Sequence, residues 1–246
     1  GETKMNAIEI RGLTKNYGKT CAVSSLSLSV KEGELFSLLG VNGAGKSTTI
    51  KMLSCLAKPT SGDALLLGKS IVAEENEVKK LIAVSPQESA VAPNLTVREN
   101  LVLMAGAHGF SKEKIKEKTE EIIGSFGLSD ICAKKAKTLS GGWKRRLSIA
   151  MSLICEPKIL FLDEPTLGLD VLARAELWDM IRSLKGKITV ILTTHYMEEA
   201  EALSDNIAIM KSGKLVAFGS ADELKRQAGT DKFEDAFITL VKEAKI

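Results

Sequence analysis

Alternation of apolar and polar positions comes first along the chain. Ile8-Glu9-Ile10 sets apolar against charged, and Leu26, Leu28 and Val30 alternate with Ser25, Ser27 and Ser29, the period of two expected of strands with one wet face. Asn16-Tyr17-Gly18-Lys19 is turn-like, and Glu32-Gly33-Glu34 turns the chain into the apolar run Leu35 to Leu39, read as a buried strand. The opening thus predicts antiparallel strands leading into an α/β core. A helix is predicted over Thr49 to Leu56, with Cys55 packed on it and Pro59 and Gly62 ending the region. Ala64 to Gly68 reads as a short strand and turn, and Leu81 to Val84 as a strand running into Ser85-Pro86-Gln87.

The period then lengthens. Thr96 and Glu99 form a capping-box pattern, and from there to about Ser129 the pattern is helical, with Ile115, Ile122, Ile123 and Phe126 on one face. The mixed run Lys112 to Glu121 reads as a solvated helix face. Residues 90–155 are therefore expected to form a helical lobe inserted in the α/β core. Within it, Leu139-Ser140-Gly141-Gly142-Trp143 opens a helix whose inner side carries Leu147, Ala150, Met151 and Ile154, and Pro157 stops it. Lys144-Arg145-Arg146 is read as its exposed face. Four apolar residues, Ile159 to Leu162, end in Asp163-Glu164-Pro165, as in a fully buried parallel strand with carboxylates at its C-terminal end. Val171 to Leu184 is predicted helical with Ala175, Trp178 and Ile181 inward. Ile188 to Leu192 is the next buried strand, ending at Thr193-Thr194-His195. Ile207 to Met210 and Leu215 to Phe218 form a hairpin about Lys211 to Lys214, and the tail from Ser220 carries two short helices with Phe233, Phe237 and Leu240 or Val241 on one face.

The length of 246 residues suffices for one large core or two lobes. With 34 basic and 31 acidic residues the net charge is +3, which does not indicate a strongly basic nucleic-acid binder. The longest charge-free run, Asn100 to Ser111, is about a dozen residues, short of the ~20 that a membrane helix needs. Gly1 to Lys4 read as an appended remnant ahead of Met5, without the pattern of a signal peptide. Cys21, Cys55, Cys132 and Cys155 are far apart and read as free thiols in a reducing compartment.

The chemistry concentrates at Gly40-Val41-Asn42-Gly43-Ala44-Gly45-Lys46-Ser47-Thr48. Strand, G-x-x-x-x-G-K-[ST] and helix in succession make a phosphate-binding loop. Its glycines free the backbone to aim N–H groups at one point, and the following helix adds its positive dipole end there. Lys46 reaches the β- and γ-phosphates, and the Ser47 hydroxyl is placed for Mg²⁺. Asp163, ending a buried strand, is a second Mg²⁺ partner. Glu164 beside it can take a proton from an attacking water.

These motifs, with those around them, resemble the nucleotide-binding subunit of ABC transporters over nearly the whole chain. Gly40 to Thr48 matches Walker A, Leu139-Ser140-Gly141-Gly142 the signature sequence, Asp163 and Glu164 the Walker B aspartate and catalytic glutamate. Tyr17 matches the adenine-stacking aromatic, Gln87 the Q-loop glutamine, Asp170 the D-loop and His195 the H-loop histidine. Thr193 to Glu201 is similar to the drug or sodium efflux type. The resemblance implies an α/β P-loop NTPase core with a parallel sheet, an N-terminal antiparallel β subdomain and an inserted α-helical subdomain. It implies a cassette over residues 5–229 followed by a helical tail over 230–246.

It further implies ATP and Mg²⁺ as ligands, with Ser47, Gln87 and Asp163 at the metal and Glu164, His195, Lys46 and Gln87 serving hydrolysis. Tyr17, Gly40, Asn42, Gly43, Ala44, Gly45, Lys46, Ser47, Thr48, Ser140, Gly142 and Asp170 would touch nucleotide. Ser140 and Gly142 would serve the ATP of an opposite subunit in a head-to-tail homo- or heterodimer. The expected partner is a transmembrane permease subunit, the expected location the cytoplasmic face of a membrane, and no nucleic acid is expected. Two other readings stay open: a soluble relative acting on ribosomes or DNA, and an ATP-binding clamp with little hydrolysis. One departure stands out. Trp143 occupies a position where the family usually carries Gln.

Overall fold

A computed structural model describes residues 5–244. The expected remnant at residues 1–4, and the last two residues of the expected tail, lie outside them. β1 (Asn6–Tyr17) and β2 (Thr20–Lys31) form a long antiparallel hairpin turned at Gly18-Lys19. β3 (Leu35–Leu39) leads through the glycine-rich loop into α1 (Lys46–Leu53). β4 (Ser61–Leu66) and the short β5 (Lys69–Ser70) follow, then α2 (Glu75–Leu81) and β6 (Ile82–Ser85). Three helices come next, α3 (Val97–Ala107), α4 (Lys112–Ser125) and α5 (Gly141–Leu153). β7 (Ile159–Asp163), α6 (Val171–Arg182), β8 (Thr189–Thr194) and α7 (Met197–Leu203) return to the core. The hairpin of β9 (Asn206–Lys211) and β10 (Lys214–Gly219) precedes α8 (Ala221–Ala228) and α9 (Phe233–Glu243).

Two sheets result. One is antiparallel, in the order β2-β1-β4-β5; the other runs β10-β9-β3-β8-β7-β6, parallel except for β10 at its edge. The unbroken apolar runs of β3, β7 and β8 follow from burial on both faces. Successive side chains of a strand point to opposite sides, so Phe36, Leu38, Ile159 and Phe161 pack with α1 and the antiparallel sheet. Leu35, Leu160, Leu162 and Leu192 face α5 and α6. Each such buried side chain stabilises the fold by about 2 kcal/mol relative to exposure. Helix α1 is thereby held between the sheets, and the loop that opens it is anchored on both sides.

Several boundaries differ from the sequence reading. The helix predicted over Thr49 to Leu56 runs from Lys46 to Leu53: the left-handed Gly45 caps its start, and the amides of Leu56 and Ala57 both turn back to the Lys51 carbonyl. Cys55 is therefore past the helix, half-buried in a turn with φ 59°. Gly62 lies inside β4, where a Cβ would meet the Gly12 carbonyl oxygen at 2.2 Å. Leu81 closes α2, an element the sequence reading passed over. The helical stretch after Thr96 is two helices, parted where Gly109 takes φ 77°; the capping box of Thr96 and Glu99 is present. Ala175 is exposed on α6, whose inner face is set by Leu177 and Ile181 one turn apart.

Candidate functional site

The loop between β3 and α1 takes its shape from close approaches that only glycine permits. A Cβ at Gly40 would lie 2.4 Å from the Met210 carbonyl oxygen, and one at Gly45, whose φ is 101°, 2.6 Å from that of Ala22. No side chain caps the start of α1, so its first amides remain free to meet an anion, with the helix dipole behind them. Lys46 is buried. Its Nζ donates to the Gly40 carbonyl at 2.6 Å and pairs with Glu164 Oε1 at 3.2 Å.

The parallel sheet delivers the carboxylates to the same place. Asp163 Oδ1 accepts from Ser47 Oγ at 3.0 Å and from Thr193 Oγ1 at 2.5 Å. The Glu164 side chain is held from two sides, by Lys46 and by His195, whose Nδ1 lies 2.8 Å from Oε2. An ionised carboxylate only accepts, so in this bond Nδ1 is the donor. The His195 ring lies 4.1 Å from that of Tyr196. A cavity of about 630 Å³ opens over this cluster. Tyr17, half-exposed, stands at its edge, and Asn42 to Thr48, Gln87, Glu164 and His195 line it. Lining also comes from Thr20 to Ala22 at the start of β2 and from Leu167 and Ser212 in turns, none of which carries a motif in sequence.

Ser140, Gly142 and Asp170 are not brought to that cavity. Ser140 caps α5, its Oγ accepting from the Trp143 amide at 3.4 Å. Asp170 caps α6, accepting from the Ala173 amide at 3.0 Å. A Cβ at Gly142 would meet that of Ala173 at 2.9 Å, so the two helix starts lie against each other. A separate small hollow of about 40 Å³ lies beside Ser140, Gly142 and Trp143. At the start of the neighbouring α6, Val171 and Leu172 are 77% and 76% exposed. Trp143 is half-buried under Arg146, whose guanidinium sits 4.6 Å from the indole centre and bonds Glu176 at 2.9 Å.

Two residues escaped the sequence reading. Thr193, read only as a strand end, ties Asp163 and also accepts from the Glu164 amide at 3.0 Å. Arg145, read as part of an exposed basic face, is buried. Its Nε donates to the Pro165 carbonyl at 2.7 Å, Nη2 to those of Asp163 and Glu164 at 2.7 Å each, and Nη1 to those of Pro86 and Gln87. Burial lowers its pKa to about 10, against the opposing pull of Asp163, Glu199 and Glu164. Ser148 and Ile149, three and four residues on and therefore on the same helical face, are buried, and that spacing was the one signal available for Arg145.

A sequence profile described as "ABC transporter" matches residues 23–167. The daunorubicin/doxorubicin resistance ATP-binding protein DrrA of Streptomyces peucetius is 44% identical, over 92% of this chain and 68% of its own length. The probable multidrug ABC transporter ATP-binding protein YbhF of Escherichia coli is 42% identical over 98% of this chain, which spans 42% of it. A solved structure of an ATP-binding subunit of an ABC transporter superposes with a TM-score of 0.84 at 29% identity, over 95% of this chain and 99% of that one.

Proposed function

The chain belongs to the ABC transporter family, and we propose that it is the motor of an exporter, seated on the cytoplasmic face of a membrane against a separate transmembrane partner. Its activity is ATP binding and hydrolysis. The direction of transport follows relatives named for drug resistance and multidrug transport; the cargo would be chosen by the membrane partner. One observation carries the reading. The Glu164 carboxylate is held between Lys46 and His195 at the mouth of the glycine cradle.

ATP is the substrate. Its triphosphate would lie against the free amides of the loop with its base on Tyr17. Ser47 Oγ and Asp163 Oδ1 are adjacent hard oxygen donors and suit Mg²⁺, which takes few protein ligands and otherwise uses phosphate oxygens and water. Bound there, Mg²⁺ would neutralise charge at the β- and γ-phosphates. The chain's own groups supply the rest. Phosphoryl transfer asks mainly for positioning and charge stabilisation. Lys46 would shift its charge from Glu164 to the phosphate. Glu164 would then accept a proton from the attacking water, held in place by the Nδ1–H of His195, while the ring's far edge faces the γ-phosphate. Gln87, exposed at the cavity's rim, would read the presence of nucleotide.

Ser140, Gly142 and Asp170 would complete the site of a second subunit in a head-to-tail dimer. The support is their absence from the lining of this chain's own cavity and the exposed Val171 and Leu172 that follow Asp170. The test is Mg-ATPase rate against protein concentration for this chain and for Glu164→Gln. The rate per subunit should rise with concentration, and the variant should fall by about 100-fold or more while still binding ATP. A rate independent of concentration, or equal in both proteins, would overturn the dimeric motor.

A further inference from the structure

Arg145 lies just over one turn into α5, the helix that Ser140 caps. Its side chain is 4% exposed, and its guanidinium meets five carbonyl oxygens and no carboxylate. Guanidinium has as many N–H donors as that, so its bonding capacity is spent on main chain. Three of the carbonyls are consecutive, from Asp163, Glu164 and Pro165, at the end of β7. The other two, from Pro86 and Gln87, follow β6. The middle of the three belongs to a residue in an uncommon conformation: Glu164 has φ 47°, a left-handed backbone that costs free energy for a side chain of this size. The Glu164 amide is tied to Thr193 on one side, and Arg145 grips the carbonyls before, at and after it on the other. An arginine serving only to pack α5 on the sheet would need none of this.

We propose that Arg145 is a positioning residue that yokes the signature helix to the catalytic strand end and to the Gln87 loop of its own chain. The inference rests on the head-to-tail reading above. In that dimer the start of α5 touches the nucleotide of the partner's site, while Arg145, on the same helix, fixes the backbone that aims Glu164 and Gln87 at this chain's own nucleotide. Engagement of one site is then felt at the hydrolytic carboxylate of the other, and the two sites turn over cooperatively.

The experiment compares the wild-type chain with R145K and R145Q in four readouts: affinity for a fluorescent ATP analogue, kcat, the Hill coefficient for ATP, and amide hydrogen exchange. In both variants affinity should stay within about threefold, since the loop and Tyr17 are untouched, while kcat falls by roughly 10- to 100-fold, the cost of a misplaced reacting group. The Hill coefficient should drop toward one, and exchange should quicken over residues 85–88 and 163–166 but not over 40–48. R145K should recover part of kcat, because one ammonium keeps the charge but cannot span both carbonyl sets. Wild-type kcat and Hill coefficient in the variants would overturn the proposal. So would exchange quickened across the whole chain with loss of nucleotide affinity, which would make Arg145 a folding residue only. A wild-type chain without turnover at any concentration would defeat the motor reading instead, and the exchange comparison, which needs no turnover, would still report on Arg145.

Discussion

The two regions that carry phosphate chemistry are built on opposite plans. Around Gly40 to Thr48 the loop is braced from beneath: carbonyls press on Gly40 and Gly45, Lys46 is buried, and Asp163 accepts two hydroxyls. Around the helix starts at Ser140 to Gly142 and Asp170 to Leu172 the chain is open, with a weak cap at Ser140, a shallow hollow and Val171 and Leu172 facing solvent. A region braced by its own chain is shaped to receive a ligand; one that leaves apolar side chains outside is shaped to be covered. On the proposed head-to-tail reading, the difference separates what a single chain would do, bind ATP, from what would need a second, hydrolyse it.

The strongest way to break this comparison is Ser140→Arg, which places a long cation where the second nucleotide would arrive. Turnover should fall by at least about 100-fold, of the order seen for lost oxyanion donors, with single-chain ATP affinity unchanged and no ATP-dependent dimer on sedimentation. Equal loss of affinity would mean that the two regions form one site within the chain. A milder probe acts on the braced region alone. Tyr17→Ala should raise KM by about tenfold, ~1.4 kcal/mol, and leave kcat within twofold; a matching fall in kcat would place Tyr17 in the chemistry and not in base binding.

The smallest effect concerns an internal cost of the braced region. Glu199 on α7 is fully buried behind Thr194 and Thr166, with one oxygen accepting from Trp178 Nε1 at 3.1 Å and the other unpartnered. Burial raises its pKa above the ordinary 4.5, despite the hydrogen bonds. The folded chain thus holds this proton more tightly than the unfolded one. The stability it contributes is complete below pH 4.5 and is lost as pH rises through the elevated folded value. Glu199→Gln keeps the Trp178 bond and removes the titration. Its melting temperature should exceed wild type by about 3 °C at pH 8, the shift of a ~1 kcal/mol change, and match it near pH 4. A gain of the same size at both would show that the charge is not the cause.

Legibility in the sequence follows the same division. The α/β class and the buried strands were readable because a strand buried on both faces has no polar positions, as in Ile159 to Leu162. The phosphate loop was readable because its glycines, Lys46 and Ser47 are adjacent. Thr96 and Glu99 announced their helix start because a capping box is local. What escaped was set by contacts distant in sequence. Nothing near Arg145 says that carbonyls from residues 86–87 and 163–165 will converge on it, and its charged neighbours made it read as surface. The early start of α1 escaped because it depends on Gly45 being left-handed, and the burial of Glu199 because its indole partner lies 21 positions away. Trp143 departs from the Gln usual in the family, and its stacking under Arg146 gives the indole a partner within its own chain.

The seam that fastens the phosphate loop has a consequence for how the chain is made. Gly45 sits beneath the Ala22 carbonyl, the Ala44 carbonyl accepts from the Gly213 amide at 3.0 Å, and the Gly213 carbonyl from the Ser24 amide at 2.8 Å. A polypeptide leaving the ribosome exposes residues 40–48 long before residue 213 exists, so the loop cannot be locked until that residue has emerged. Nucleotide capture during translation should appear abruptly, once the turn at Ser212-Gly213 has cleared the exit tunnel, and truncated chains ending before it should emerge without a finished pocket.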